Sequence, residues 1–324
     1  MSMIKRLKKV CACIAVMGAA QAAHAADLVY RFAHEAPETA IKGQTANKFA
    51  ELVKQYTDGS VTVQVYPGGQ LVPTLEEVRA VARGQVDIVA PYTSYFSSID
   101  PAWDVFYQPF LFKNPQHAID TFAGPIGNEL LSRLSSRGMT GLSIWHDGPV
   151  YLFAAQKPIV QPGDMRGRKV RMAPSRPLEA MLEAGHATSV AIPATEVYLA
   201  LQQGVADSVL TTPTYAGPAR WNEVLSSGSR ELFGVGGYAM VVNTKSLERM
   251  DGKQREGFMR AVKDAEAWNR DQTIGNIARW EKYLAENGLK WVELENKQAW
   301  LDMAAKAEQR QNKEAKALIS QVRQ

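Results

Sequence analysis

The chain is 324 residues long and 46% hydrophobic, with 37 Lys and Arg against 33 Asp and Glu and two cysteines. Four of the basic residues, Lys5, Arg6, Lys8 and Lys9, precede position 10, so residues 26–324 carry 33 of each sign, which excludes the basic footprint that nucleic-acid binding requires. Cys11 and Cys13 lie in the same leading stretch, and the remaining ~300 residues, enough for two domains, cannot use disulfides, thiolate catalysis or cysteine metal sites.

Residues 1–25 read as a cleavable export signal: a basic start, a short apolar run over 10–20, and Ala23-His24-Ala25 as the cleavage site. The run is too short for a transmembrane helix, which needs ~20 apolar residues, and Cys13 stands too near the basic residues for a lipoprotein. The expectation is a periplasmic protein.

Alternation over 28–33 predicts a strand, and Ala46, Phe49, Ala50, Leu52 and Val53 give a helix over 39–56 its apolar stripe. A second strand follows over 61–66. Thr74 is placed to cap a helix over 75–82, with Glu77 completing a capping box, before a third strand over 86–90.

Two loops follow strands here, at the carboxyl ends where open α/β sheets form their ligand crevice. One carries His34 and Glu35, the other Tyr92, Thr93 and Tyr95; Phe106, Phe110 and Phe112 are assigned to the core. His34 and Glu35 could suggest acid–base work, but neighbours on an extended chain face opposite ways. Residues 143–151, with Trp145 and Tyr151, read as a strand crossing between domains. Aromatics with polar tips suit a small-molecule pocket or a core.

The grammar repeats over 164–213. Strands over 169–172, 189–192 and 208–210 alternate with a helix over 177–184 and another that Thr195 could cap, as a parallel sheet needs. Gly84 to Asp87 and Gly204 to Asp207 close the two copies, so two similar α/β domains are expected. Arg171 ends the first strand of the second copy, where a guanidinium serves either as a structural ion pair or as a bidentate carboxylate anchor.

The sequence Asp164-Met-Arg-Gly-Arg-Lys-Val-Arg171, followed by Glu196-Val-Tyr-Leu-Ala-Leu-Gln-Gln-Gly204-Val-Ala-Asp207, resembles the signature region of the substrate-binding proteins of tripartite ATP-independent periplasmic (TRAP) transporters, the DctP-like family. The resemblance extends to Asn47-Lys-Phe-Ala-Glu-Leu-Val53, Tyr66-Pro-Gly-Gly-Gln-Leu71 and Gln108-Pro-Phe-Leu-Phe112. It implies that Arg171 grips a ligand carboxylate. It also implies delivery to the small and large membrane subunits of an ion-driven transporter. Val150 stands where many members have a second Arg, and Thr211-Thr212-Pro213 replaces Glu-Asn-Pro.

After a strand over 238–243, apolar spacing predicts a helix over 251–287, with two helices broken near 271–272 as the alternative; the resemblance implies one helix spanning both lobes. A strand over 289–294 and a charged, solvated helix over 297–323 complete the chain.

The fold expected is α/β, a two-lobed periplasmic binding protein of the Venus-flytrap type: signal 1–25, N-terminal lobe 26–148, C-terminal lobe 149–238, and crossover strand, spanning helix and C-terminal helix 239–324. The expected function is a receptor closing on a small organic acid. One Arg with uncharged neighbours favours a monocarboxylate, contacted by Arg171, Trp145, Tyr92, Thr93, His34, Glu35, Tyr151, Thr211 and Thr212. No metal or other cofactor is expected, since His117, His146 and His186 lack ligand spacing. Two alternatives stay open: a receptor serving a sensor domain, and a periplasmic enzyme using His34, Glu35 and Asp147.

Overall fold

The computed structural model describes residues 28–324, so the expected signal segment and both cysteines lie outside the described residues. The strands are β1 Leu28–Ala33, β2 Val61–Tyr66, β3 Ile88–Val89, β4 Met139–Pro149, β5 Tyr151–Ala154, β6 Lys169–Met172, β7 Thr188–Ala191, β8 Ser208–Thr211, β9 Ser227–Ser229, β10 Val235–Asn243 and β11 Lys290–Val292. The helices are α1 Ile41–Tyr56, α2 Glu77–Ala82, α3 Pro115–Phe122, α4 Pro125–Ser132, α5 Arg176–Ala184, α6 Val197–Gln202, α7 Pro213–Ala216, α8 Thr244–Glu248, α9 Gly252–Glu286, α10 Lys297–Gln309 and α11 Lys313–Val322.

Two sheets result, ordered β2-β1-β3-β10-β4 and β11-β9-β5-β8-β6-β7. The expectation of parallel pairing holds for β1 with β2 and β3, and for β6 with β7 and β8. Each sheet is nevertheless mixed, because one strand returns through it: β10 runs antiparallel to β3 and β4, and β5 antiparallel to β8 and β9. Residues 235–238, read from sequence as part of the second lobe, belong to β10 in the first sheet.

Alternation decides which side chains fill each core. Tyr30 and Phe32 of β1 point inward to Phe49 of α1 and Phe258 of α9, with Phe32 also 5.9 Å from the Trp145 ring. In the second sheet Tyr151 and Phe153 of β5 meet Trp291.

Helix α9 is continuous over 35 residues, with no break at 271–272, and spans roughly 52 Å at 1.5 Å per residue. Asp251 starts it through a capping box: its carboxylate accepts from Gln254 N (2.8 Å) while Gln254 Oε1 accepts from Asp251 N (3.1 Å). Phe258, Ala261, Val262 and Ala265 join the first core, and Leu284 the second. Between them Asn269 ties the helix to β4, accepting from His146 N (2.6 Å) and donating to His146 O (3.2 Å) and Thr45 Oγ1 (3.1 Å). At the second-lobe end Gly217 lies so close to Trp280 that a Cβ there would sit 2.3 Å from the indole.

Three local expectations are corrected. The helix expected over 297–323 is two helices, because the Asn312 side chain accepts from Ala315 N (2.7 Å) and starts a new one. Its face is not simply solvated: Trp300, Met303, Ala304 and Ala307 are buried, as are Leu318, Ile319 and Val322. Thr195 lies within a 3₁₀ turn, Ala194–Glu196, and caps nothing. Thr74 likewise begins the 3₁₀ turn Thr74–Glu76 without a capping hydrogen bond, and Glu77, instead of reaching back to it, is buried.

Candidate functional site

A small cavity, about 30 Å³ in volume, opens between the two sheets, lined by Glu35, Tyr92, Tyr95, Asp147, Arg171, Ala173, Ala194, Leu210, Thr211 and Tyr215. The strand ends supply it: Glu35 follows β1, Tyr92 follows β3, Arg171 and Ala173 close β6, Thr211 ends β8, and Asp147 comes from β4. This is the carboxyl-end crevice that open α/β sheets form. Tyr95 also lines a wider outer cavity with Arg79, Ser97 and Arg176, so its ring stands between the two spaces.

Arg171 is 4% exposed, and its one protein hydrogen bond runs from Nε to Ile192 O at 3.0 Å. Among the described residues no carboxylate lies within salt-bridge distance of it. The Trp221 ring lies 5.9 Å from its guanidinium carbon. Burial lowers its pKa from the ordinary value, with the charge of Tyr95 opposing, yet a guanidinium starts so high that it stays cationic. A desolvated, unpaired fork on a cavity wall can take a carboxylate through two parallel hydrogen bonds.

The acidic side of the cavity is more elaborate than the sequence suggested. Glu35 forms a buried ion pair with Lys42 of α1, whose Nζ lies 4.4 Å from the centre of the Tyr238 ring. Glu77 is fully buried beside them, and neither of its oxygens has a hydrogen-bond partner. Burial, then the charge of Glu35, raises its pKa well above the usual carboxylate range, against the pull of Lys42. Asp147 accepts from Thr212 Oγ1 (2.6 Å) and Thr214 Oγ1 (2.7 Å); burial raises its pKa and those hydroxyls oppose the rise.

Of the residues singled out in the sequence, Arg171, Glu35, Tyr92, Tyr95, Asp147 and Thr211 line the cavity together. Thr212 stands one step back, on Asp147. Thr93 is buried beneath the floor, hydrogen-bonded to Tyr107. His34 is fully buried with both ring nitrogens unpartnered, and burial, then Lys42, lowers its pKa to about 3. Trp145 packs in the first core, and Tyr151 donates outward to Glu281 (2.8 Å). Neither reaches the cavity wall. Val150, where a second Arg was noted as missing, is buried and apolar. The backbone of β10 approaches this floor closely: a Cβ on Gly236 would lie 2.6 Å from Tyr92 Oη and 2.7 Å from Thr212 Cγ2.

Lys42, Glu77, Tyr95, Asp147 and Tyr215 were absent from the expected contact set, although Tyr95 had been noted in its loop and Asp147 in the enzyme alternative, and Lys42 and Glu77 had left signals of their own. Lys42 lies on the apolar stripe of α1, four residues before buried Ala46 and seven before buried Phe49. Aligning Gly84 with Gly204 sets Glu77 against Val197, so one copy buries a carboxylate where the other buries a methyl pair.

The model of the bacterial extracellular solute-binding protein family 7, DctP, matches residues 32–314. The chain belongs to this family. Among its relatives, the C4-dicarboxylate-binding periplasmic protein DctP of Rhodobacter capsulatus is 34% identical over 239 residues, covering 74% of this chain and 72% of that protein. TRAP periplasmic solute-binding proteins solved with bound succinate share the fold. That of Shewanella oneidensis has a TM-score of 0.86 at 28% identity, covering 92% of this chain and 99% of its own. That of Sulfurospirillum deleyianum has 0.84 at 29%, covering 92% and 98%. DctP relatives are transport receptors, not enzymes, and among the described residues no helix is long and apolar enough to cross a membrane.

At the rim of the outer cavity, Asp104 is buried with Arg176 3.8 Å away. Burial pushes its pKa up to about 6, with Ser97 and Arg176 pulling the other way. The folded protein therefore holds a proton that the unfolded chain gives up near pH 4, so this group's contribution to stability falls as pH climbs from about 4 to about 6. Asp104→Asn is expected to remove that slope. Thermal melts of both proteins across pH 4–8 should show the variant gaining on wild type by several degrees as pH rises, and parallel curves would refute it.

Proposed function

We propose that this DctP-family protein is a solute receptor that closes on a small organic monocarboxylate and hands it to the small and large membrane subunits of a TRAP transporter. The observation that carries this reading is the buried, unpaired guanidinium of Arg171 on the wall of a cavity whose other charged side chains, Glu35 and Asp147, are acids. Among the described residues one free cation lines the cavity, and one cation fits one carboxylate. A second carboxylate would enter a buried space without a cation to meet it, at considerable cost.

We further take the lobes to divide near 148/149, where β4 gives way to β5, and to move as a hinge. The open form admits the acid and Arg171 takes its carboxylate. Glu35 and Tyr92, from the other lobe, reach the ligand only on closure, and that difference in contact shifts the open–closed equilibrium. A C4-dicarboxylate is the second reading, favoured by what the R. capsulatus relative binds.

Mass spectrometry of small molecules released by denaturing the purified protein, with thermal shifts against mono- and dicarboxylates, separates the two. Ligand binding to the folded state alone raises the melting temperature by mass action. A monocarboxylate giving the largest shift supports the first reading, succinate or malate the second, and shifts from uncharged solutes alone would sink both.

A further inference from the structure

The inner cavity is lined by groups of unlike chemistry. Among the described residues Arg171 is the one cation that lines it and Glu35 and Asp147 are its two acids, with Tyr92, Tyr95 and Tyr215 also on its wall. Lys42 does not reach the wall; it sits behind Glu35 and engages Oε2. Among the described residues Lys42 donates to Oε2 of Glu35 alone, so Oε1 keeps acceptor capacity beside the protonated carboxyl of Glu77, in a side chain only 2% exposed. Asp147 keeps spare acceptor capacity, since a carboxylate has about four lone-pair sites and Thr212 and Thr214 engage one oxygen each.

An acid held at Arg171 by its carboxylate places the rest of its body against these oxygens. A hydrocarbon body would leave them desolvated and unpaired, which is unfavourable for polar groups and worse for charged ones. A second carboxylate would bring like charges together. A hydroxyl or an ammonium group would supply the missing donor, and an ammonium would also balance the added carboxylate.

Extending the monocarboxylate reading, we infer that the ligand carries, besides its carboxylate, a hydrogen-bond donor, a hydroxyl or an ammonium group, and that Glu35 selects for it.

The test is calorimetry on the full mature protein with straight-chain C3–C6 carboxylates, their hydroxy- and amino-substituted forms at each position, and succinate. At least one substituted acid is expected to bind thirtyfold or more tightly than both its unsubstituted parent and succinate. Glu35→Gln keeps a carbonyl acceptor and a nearly identical shape. It should weaken an amino acid at least tenfold and a hydroxy acid only a fewfold, which tells the two donors apart. Glu35→Val with Lys42→Met removes the acid without stranding its partner, and should erase the preference for either. If unsubstituted parents bind as tightly as their derivatives and still require Arg171, the inference falls while the carboxylate reading stands. Succinate as the tightest ligand, or Glu35→Gln without effect, also overturns it. If nothing in the series binds, or binding survives Arg171→Ala, both fall.

Discussion

Arg171→Ala is expected to weaken binding of the organic acid at least about thirtyfold while leaving the unliganded fold as stable as before, or slightly more so. The first part follows from the fork, because removing one partner of a buried, hydrogen-bonded charge pair costs about 2–5 kcal/mol, and each ~1.4 kcal/mol is tenfold in affinity. The second follows from the absence of any carboxylate beside Arg171, whose side chain is desolvated without an ion partner and gives the protein a single hydrogen bond, to Ile192 O. Truncation therefore breaks little while relieving a buried charge. Arg171→Lys keeps the charge but not the planar pair of donors, and should recover only part of the affinity. Titration of all three proteins with the acid found by thermal shift decides it. Unchanged affinity in the alanine variant would mean that the guanidinium only braces the Ile192 loop.

The largest loss of stability is expected at Lys42→Met. The ammonium is fully buried, pairs with Glu35, and opposes the raised pKa of Glu77. Methionine fills much the same volume but leaves two acids in one desolvated site. Stranding a buried charge costs about 3–5 kcal/mol, enough to lower the melting temperature by several degrees. The pH dependence has a definite sign. Without the cation the folded-state pKa of Glu77 rises further above its unfolded value, so the variant's deficit is smallest in acid and widens as pH climbs. Lys42→Met with Glu35→Gln should regain much of the loss. Denaturant melts at pH 5 and pH 8 measure both effects, and a deficit independent of pH would point to packing.

The strands and the long helix were legible because period-2 and period-3.6 patterns are written in adjacent residues. Position placed Arg171 at the crevice without choosing between an ion pair and a ligand anchor; only the family resemblance offered it the carboxylate. The sense of β5 and β10 was not legible, since an antiparallel return is set by partners far away in the chain. Trp145 and Tyr151 show another limit. Both sit on the crossing strands, but alternation turns one into the first core and lets the other reach Glu281, and a loop-to-pocket argument does not see which face a strand presents. Glu77 failed for a different reason. Its spacing from Thr74 satisfied the capping-box pattern, yet the 3₁₀ turn over Thr74–Glu76 rotated it inward to Lys42. Local chemistry offered a sound role, and tertiary packing overrode it.

The order in which the two cores are completed bears on how the protein is made. Strand β10 pairs with β3 although nearly 150 residues of chain separate them, and α9 then contributes Phe258 to one core and Leu284 to the other. A nascent chain leaving the ribosome cannot close either lobe until residues 235–286 have emerged. Contacts that span so much chain also form slowly. Both cores are therefore completed late: for most of synthesis the partners that would hold either lobe together have not yet been made.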